Sequence, residues 1–235
     1  MSTTLETGAG DASSAQLYDT DTSDMRIPHG MFRNVLGSAG GVVAGVRPGD
    51  AEHATVVGSY FDNVLRFLDA HHGGEDAVVW PLLLQRSPEA REVVSRMEGQ
   101  HAEVHGRRER AGAALEAFIA DHADAASGAA LGCAMADLTS TVEQHFAEEE
   151  REVLPLASRH MSPEEWGALP GHAMAHFSGD KVWLIFGLIF EQMSAEERAF
   201  TMTLLPPPAV DMWTSTGERS FNDFIARVRG GDRSA

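Results

Sequence analysis

Residues 71–82 read HHGGEDAVVWPL, and residues 145–156 read HFAEEEREVLPL. The two stretches align without a gap on the pattern His-x3-Glu-acid-x2-Val-x-Pro-Leu. Each continues an apolar stripe. Before the first, Val57, Phe61, Val64 and Leu68 recur at steps of three and four, His71 and Glu75 take the next two places, and Val78 and Leu82 follow. Before the second, Leu131, Met135, Leu138 and Val142 lead to His145 and Glu149, then to Leu156. Steps of three and four keep side chains on one face of an α-helix. Both stretches therefore put an imidazole and a carboxylate where a core leucine would otherwise sit.

Outward from these stretches the spacing predicts four helical rods. Rod A runs over residues 25–46 with Phe32, Leu36, Ala39, Val43 and Val46 inward, and Arg47-Pro48-Gly49-Asp50 ends it. Rod B covers residues 51–86. Rod C opens on Ser87-Pro88 as N-cap and first-turn proline and runs to residue 122, with Val94, Met97, Val104, Leu115 and Phe118 inward. Rod D covers residues 124–160. Long helices joined by short connections lie antiparallel. The expected fold is all-α, an up-down-up-down four-helix bundle over residues 24–160. Rod A carries His29 one step before Phe32, and rod C carries His101 between Met97 and Val104. At about 1.5 Å per residue, the two legs of each hairpin match to within about one turn, so the four histidines meet at one level. The spacing from His29 to His71 is 42 residues and from His101 to His145 is 44, which makes two similar hairpins, each supplying half a site. In that alignment Arg33 stands where the second hairpin has His105.

A buried carboxylate without a partner costs several kcal/mol or takes up a proton. Two of them beside four histidines make sense around a cation, and imidazole with carboxylate is the donor set of iron, zinc and manganese. The alternative is a group of hydrogen-bonded structural histidines. His-x3-Glu alone is a weak signal, since His105/Glu109 and His160/Glu164 also fit it. The repeated twelve-residue pattern on the core phase carries the inference.

The order His, His-x3-Glu, His-x3-His, His-x3-Glu on four helices, with HHxxED…WP and HxxEE…LP, resembles the hemerythrin family of HHE cation-binding domains. The resemblance covers residues 24–160. It implies a non-haem pair of iron ions, bridged by carboxylates and an oxo group, that reacts with O2, peroxide or nitric oxide or senses iron. Carried over by position, it implies His29, His71, His101 and His145 as terminal ligands and Glu75 and Glu149 as bridging carboxylates. His105 matches a fifth histidine of the oxygen-carrying members. Those members place their second carboxylate one residue later, here Glu150, and this departure bears on reversible oxygen carriage.

Other residues are read against plainer roles. His72 and Asp76 share the ligand spacing beside the stripe and are expected to support the ligands or line the rim. Glu98 makes one Glu-x2-His with His101, but the ferritin-type pattern needs two; it is kept, with Glu150, as a supporting residue. Gly73-Gly74 inside a helix implies either a bulge or close approach beside the ligands, or simple tolerance. His172 and His176 are read as solvated or packing residues, and His53, His122 and His160 as structural. Tyr60 lies too far from His71 to ligate. Trp80 is expected under the proline kink. Residues 161–235 read as a C-terminal extension of short helices, with starts at Ser162-Pro163-Glu164-Glu165 and Ser194-Ala195-Glu196-Glu197. The run VWLIFGLIF, residues 182–190, is apolar all round and is expected to pack in the core.

The 235 residues carry 35 acidic and 18 basic side chains, a net charge of -17. Nucleic-acid binding needs clustered cations, so that class is excluded, as is binding to an anionic membrane surface. One cysteine, Cys133, permits no internal disulfide and suits a reducing compartment. The run 182–190 is too short to span a bilayer, and residues 1–23 read as a disordered acidic tail without a signal pattern. The expectation is a cytoplasmic di-iron protein that binds a small diatomic or peroxide ligand, used in sensing, storage or detoxification, with a homodimer left open. The alternatives are an oxidoreductase consuming peroxide or nitric oxide at the same metals, and an interaction module whose metal only stabilises the fold.

Overall fold

Rod A is not continuous. It forms α1 (Arg26–Gly37) and α2 (Ala39–Ala44), separated at Ser38, whose hydroxyl donates to the Val35 carbonyl at 2.9 Å. A serine bonded back to the preceding turn, set among Gly37, Gly40 and Gly41, competes with the helix ladder and weakens it there. Rod B opens at α3 (Ala51–Gly74), where the Asp50 carboxylate accepts from the His53 N–H; rod D opens at α6 (Ala125–Glu148), where Asp124 accepts from Ser127 N–H. The structure, a computed structural model, describes residues 18–230, all helices and connections with no strand. Among these residues no helix is long and apolar enough to cross a membrane.

Rods B and D share one irregularity. After α3 the chain widens into a π-helical turn, Glu75–Val79, before α4 (Trp80–Arg86). After α6 it widens again at Glu149–Val153 before α7 (Leu154–His160). In each, the last amide of the turn reaches back five residues, Trp80 N–H to Glu75 O and Leu154 N–H to Glu149 O. The next residue is Pro81 or Pro155, which lacks an N–H and presses on the carbonyl four residues back. A wider turn in front of the proline relieves that pressure. Glycine is not the cause, because Ala147 and Glu148 stand where rod B has Gly73 and Gly74.

Rod C is α5 (Ala90–Ala120), two residues later than the Ser87-Pro88 start expected; the Ser87 amide instead bonds back to Leu83 and closes α4. Rod D packs against rod A on one side and α5 on the other, and α5 packs against rod B. The described residues of the expected tail are docked, not free. Tyr18 and Thr20 amides donate to Arg159 and Ser158 carbonyls, and the Thr20 hydroxyl to the Met161 carbonyl. Carbonyls in the last turn of a helix lack internal partners, and this strand of chain supplies donors. The expected disordered stretch of residues 1–17 lies outside the described residues.

The C-terminal helices complete the core. α8 (Pro163–Gly167) starts on a capping box of Ser162 and Glu165; α9 (Leu169–His176) lies along α3. α10 (Val182–Phe190) buries Leu184, Ile185, Leu188 and Phe190 between α1, α3 and α13 (Glu218–Val228). A Cβ at Gly187 would fall 2.2 Å from the Phe221 ring, so only glycine admits this contact. α11 (Ala195–Leu204), also opened by a capping box, and α12 (Pro207–Met212) lie outside and bury no side chain fully.

Two apolar cores result. One contains Phe32, Leu68, Val104 and Phe146, the other Met25, Val79, Met97 and Val153. On every rod the change from one core to the other falls at the histidines. His29, His71 with Glu75, His101, and His145 with Glu149 thus form a polar belt between two hydrocarbon layers, all buried.

Candidate metal centre

The belt is built from contacts that repeat between the two hairpins. Glu75 places Oε1 3.1 Å from His71 Nε2 on its own rod and Oε2 3.2 Å from His101 Nε2 on rod C. Glu149 places Oε2 3.7 Å from His145 Nε2 on its own rod and 3.3 Å from His29 Nε2 on rod A. Each carboxylate therefore joins a histidine of its own helix to one of the opposite hairpin. His101 and His145 approach Nε2 to Nε2 at 3.2 Å.

Three of the outward nitrogens are already engaged. His29 Nδ1 meets Glu150 Oε1 at 2.9 Å, His101 Nδ1 meets Asp76 Oδ1 at 2.7 Å, and His145 Nδ1 meets Gln100 Oε1 at 3.0 Å. An acceptor at Nδ1 holds a proton there and leaves Nε2 facing inward as the nitrogen that would ligate. The acceptors are themselves held: Glu150 by Arg33, Asp76 by the Trp80 indole N–H, and Gln100 by Glu148. Asp76 and Glu150 occupy the same place in the two repeats, one residue after the buried glutamate.

On the inner side, the His101–His145 contact apart, hydrogen bonding thins out. His29 Nε2, His71 Nε2, His72 Nε2, both Glu75 oxygens and Glu149 Oε2 are buried without a hydrogen-bond partner, although several approach another donor atom within 3.3 Å. Distance without alignment is what atoms converging on a common centre show. Two groups of donors could each hold a cation: His29, His71 and Glu75; and His72, Glu75, His101 and His145. Glu75 belongs to both.

Electrostatics reflect the crowding. Burial and the Glu149 charge push the Glu75 carboxyl up to about 7. Burial opposes ionisation of Glu149 too, but the His29 imidazolium outweighs it and holds this carboxyl low. Burial disfavours the charged forms of His29 and His101; Glu149 and Glu150 outweigh it at His29, and Asp76 and Glu75 at His101, raising both to about 9. His145 is lowered to about 3 by burial, and His71 and His72 are lowered by burial and by neighbouring imidazoles. The hydrogen bond from His29, then Arg33, lowers Glu150 to about 2.

The structure places the expected residues unequally. His29, His71, Glu75, His101, His145 and Glu149 converge. His105 does not: its side chain is 64% exposed and lies 3.5 Å from Glu109. The inward stripe of α5 passes from His101 to Val104, and the next residue is carried outward round the helix. Asp76 and Glu150 touch the cluster through hydrogen bonds, while Glu98 is exposed on the rim of a surface groove of about 670 Å³. His72, expected beside the ligands, lies within the second donor group; with His101 it forms the floor of that groove. Gln100 and Phe146 were missed by the sequence reading. Phe146 stacks on His29 at 3.9 Å between ring centres, and neither residue carries a spacing signal of its own. His172 and His176 stack on one another at the surface, and His53 bonds the Val228 carbonyl.

Residues 20–157 match the Hemerythrin HHE cation binding domain. That is more than half of the chain, and the protein belongs to this family. No curated protein and no solved structure matches it.

Proposed function

We propose that the four rods form an up-down-up-down bundle that holds two iron ions, and that the protein binds O2 or a related small oxidant for sensing, storage or detoxification in the cytoplasm. His29, His71, His101 and His145 would be terminal ligands, with Glu75 and Glu149 bridging. The observation that carries this reading is the cluster of buried donor atoms in which the inward nitrogens of His29, His71 and His72 and both Glu75 oxygens have no hydrogen-bond partner, arranged as two groups that share Glu75. Imidazole nitrogen with carboxylate oxygen suits iron. A pair of ferrous ions held there would supply electrons to a small oxidant. The chain's own residues do the rest. Phe32, Phe146 and Trp80 border the rings of His71, His29 and His101. Asp76, Gln100 and Glu150 fix three imidazoles in orientation.

The test is metal analysis of natively purified protein, followed by anaerobic mixing of the ferrous form with O2. Two irons per chain and a reversible optical change support oxidant binding. Catalytic loss of peroxide or nitric oxide would instead make it an oxidoreductase. His71→Ala and Glu149→Ala should each lose metal while helical circular dichroism persists; full retention in both would overturn the assignment.

A further inference from the structure

We propose that His72 is itself a metal ligand, supplying a third imidazole to the donor group of His101 and His145. The inference rests on the di-metal reading above and deepens it.

The two hairpins are nearly equivalent around the cluster. Glu75 answers to Glu149, Asp76 to Glu150, and His71 to His145. In the same register His72 answers to Phe146. Both lie against the histidine of the opposite hairpin: Phe146 on His29 at 3.9 Å and 9° between ring planes, His72 on His101 at 4.3 Å and 19°. A phenyl ring satisfies that packing role without any polar atom. His72 instead brings a nitrogen into a site only 7% exposed, where its Nε2 has no hydrogen-bond partner. A buried polar atom left unpaired is destabilising, and the structure offers it one use. Donor atoms of His72, Glu75, His101 and His145 all lie within 4.8 Å of one another. His105, on the same helix as His101, is exposed beside Glu109 and belongs to neither donor group. The halves of the centre then differ, with two imidazoles (His29, His71) on one side of Glu75 and three (His72, His101, His145) on the other.

The test loads the full-length, metal-free protein with Co(II), counting hyperfine-shifted, solvent-exchangeable imidazole N–H resonances and titrating the metal. His72→Phe copies the partner hairpin's residue, keeping the ring and removing the donor. Wild type should take up two Co(II) and show five shifted N–H signals, one for each imidazole named. His72→Phe should show four and bind its weaker Co(II) at least about tenfold less tightly. His105→Ala should match wild type in both. Should His72→Phe lose its helical dichroism, His72→Gln repeats the measurement with the same expectation. Five signals with an unchanged titration in the variant, or four in two-cobalt wild type, would overturn the role of His72 and leave the di-metal reading intact. A wild type that takes up no more Co(II) than His71→Ala would overturn the di-metal reading first.

Discussion

Loading the cluster with two divalent cations at pH 7 should release about 2.5 protons per chain. The number follows from the metal-free electrostatics. His29 and His101, raised to about 9, are each about 99% protonated at pH 7, and Glu75, at about 7, is about half protonated. His71, His72 and His145 are lowered and already neutral, and Glu149 is held low and already ionised. A ligating imidazole must give up its Nε2 proton, so cation and proton compete. Two protons removed two pH units below their pKa cost about 5.4 kcal/mol at about 1.36 kcal/mol per unit, or about 10⁴ in the product of the two binding constants. The sign is fixed: raised imidazoles hold protons below about 9, so cation affinity climbs as pH rises and levels off above that value. Calorimetric titration with Zn(II) in two buffers of different ionisation enthalpy reads the proton count. At pH 8.5 the release should fall to about 1.5. Fewer than one proton at pH 7, or a count that does not change between the two pH values, would refute the charge assignment. The same linkage acts on metal-free stability. The folded state holds protons on His29 and His101 that the unfolded chain loses near 6.5, so this contribution is full below about 6.5 and disappears as pH rises through about 9.

Two further outcomes follow from particular contacts. Asp76→Asn removes the charged acceptor that fixes His101 Nδ1, and above about pH 9, where no imidazole proton competes, should weaken Zn(II) binding by about 10- to 100-fold with helical content unchanged; equal affinity there would show that the contact does not orient the ring. Gly73→Ala with Gly74→Ala should stabilise the metal-free protein by about 1–2 kcal/mol in denaturant titration. A Cβ at Gly73 meets nothing within 4 Å and one at Gly74 only the His172 ring at 3.6 Å, so destabilisation would mean that the glycines are required by the turn that follows.

Much of the inward face was legible in the chain's periodicity. His29, His71, Glu75, His101, His145 and Glu149 fall on apolar stripes, and all six are buried. The repeated Pro-Leu ending also had structural meaning, since each proline follows a widened turn. Carrying His105 over as a fifth histidine failed because three- and four-residue steps from His101 lead to opposite flanks of one face. Spacing alone cannot tell which flank meets the neighbour. Packing of α5 on rods B and D selects Val104 and turns His105 outward. The partners of the imidazoles were hidden for a similar reason. Gln100 reads as an ordinary polar neighbour of His101, yet it serves His145 on rod D.

By itself the sequence determined the helices, their inward stripes and the level at which acids and imidazoles interrupt them, because these depend on periodicity along a single chain. Only the tertiary structure decided which nitrogen of each ring faces inward, that Glu75 stands between two donor groups, and that His72 joins them while His105 does not. Those are distances between atoms on different rods. They are set by how two hydrocarbon cores close around a polar belt, and no local pattern encodes them.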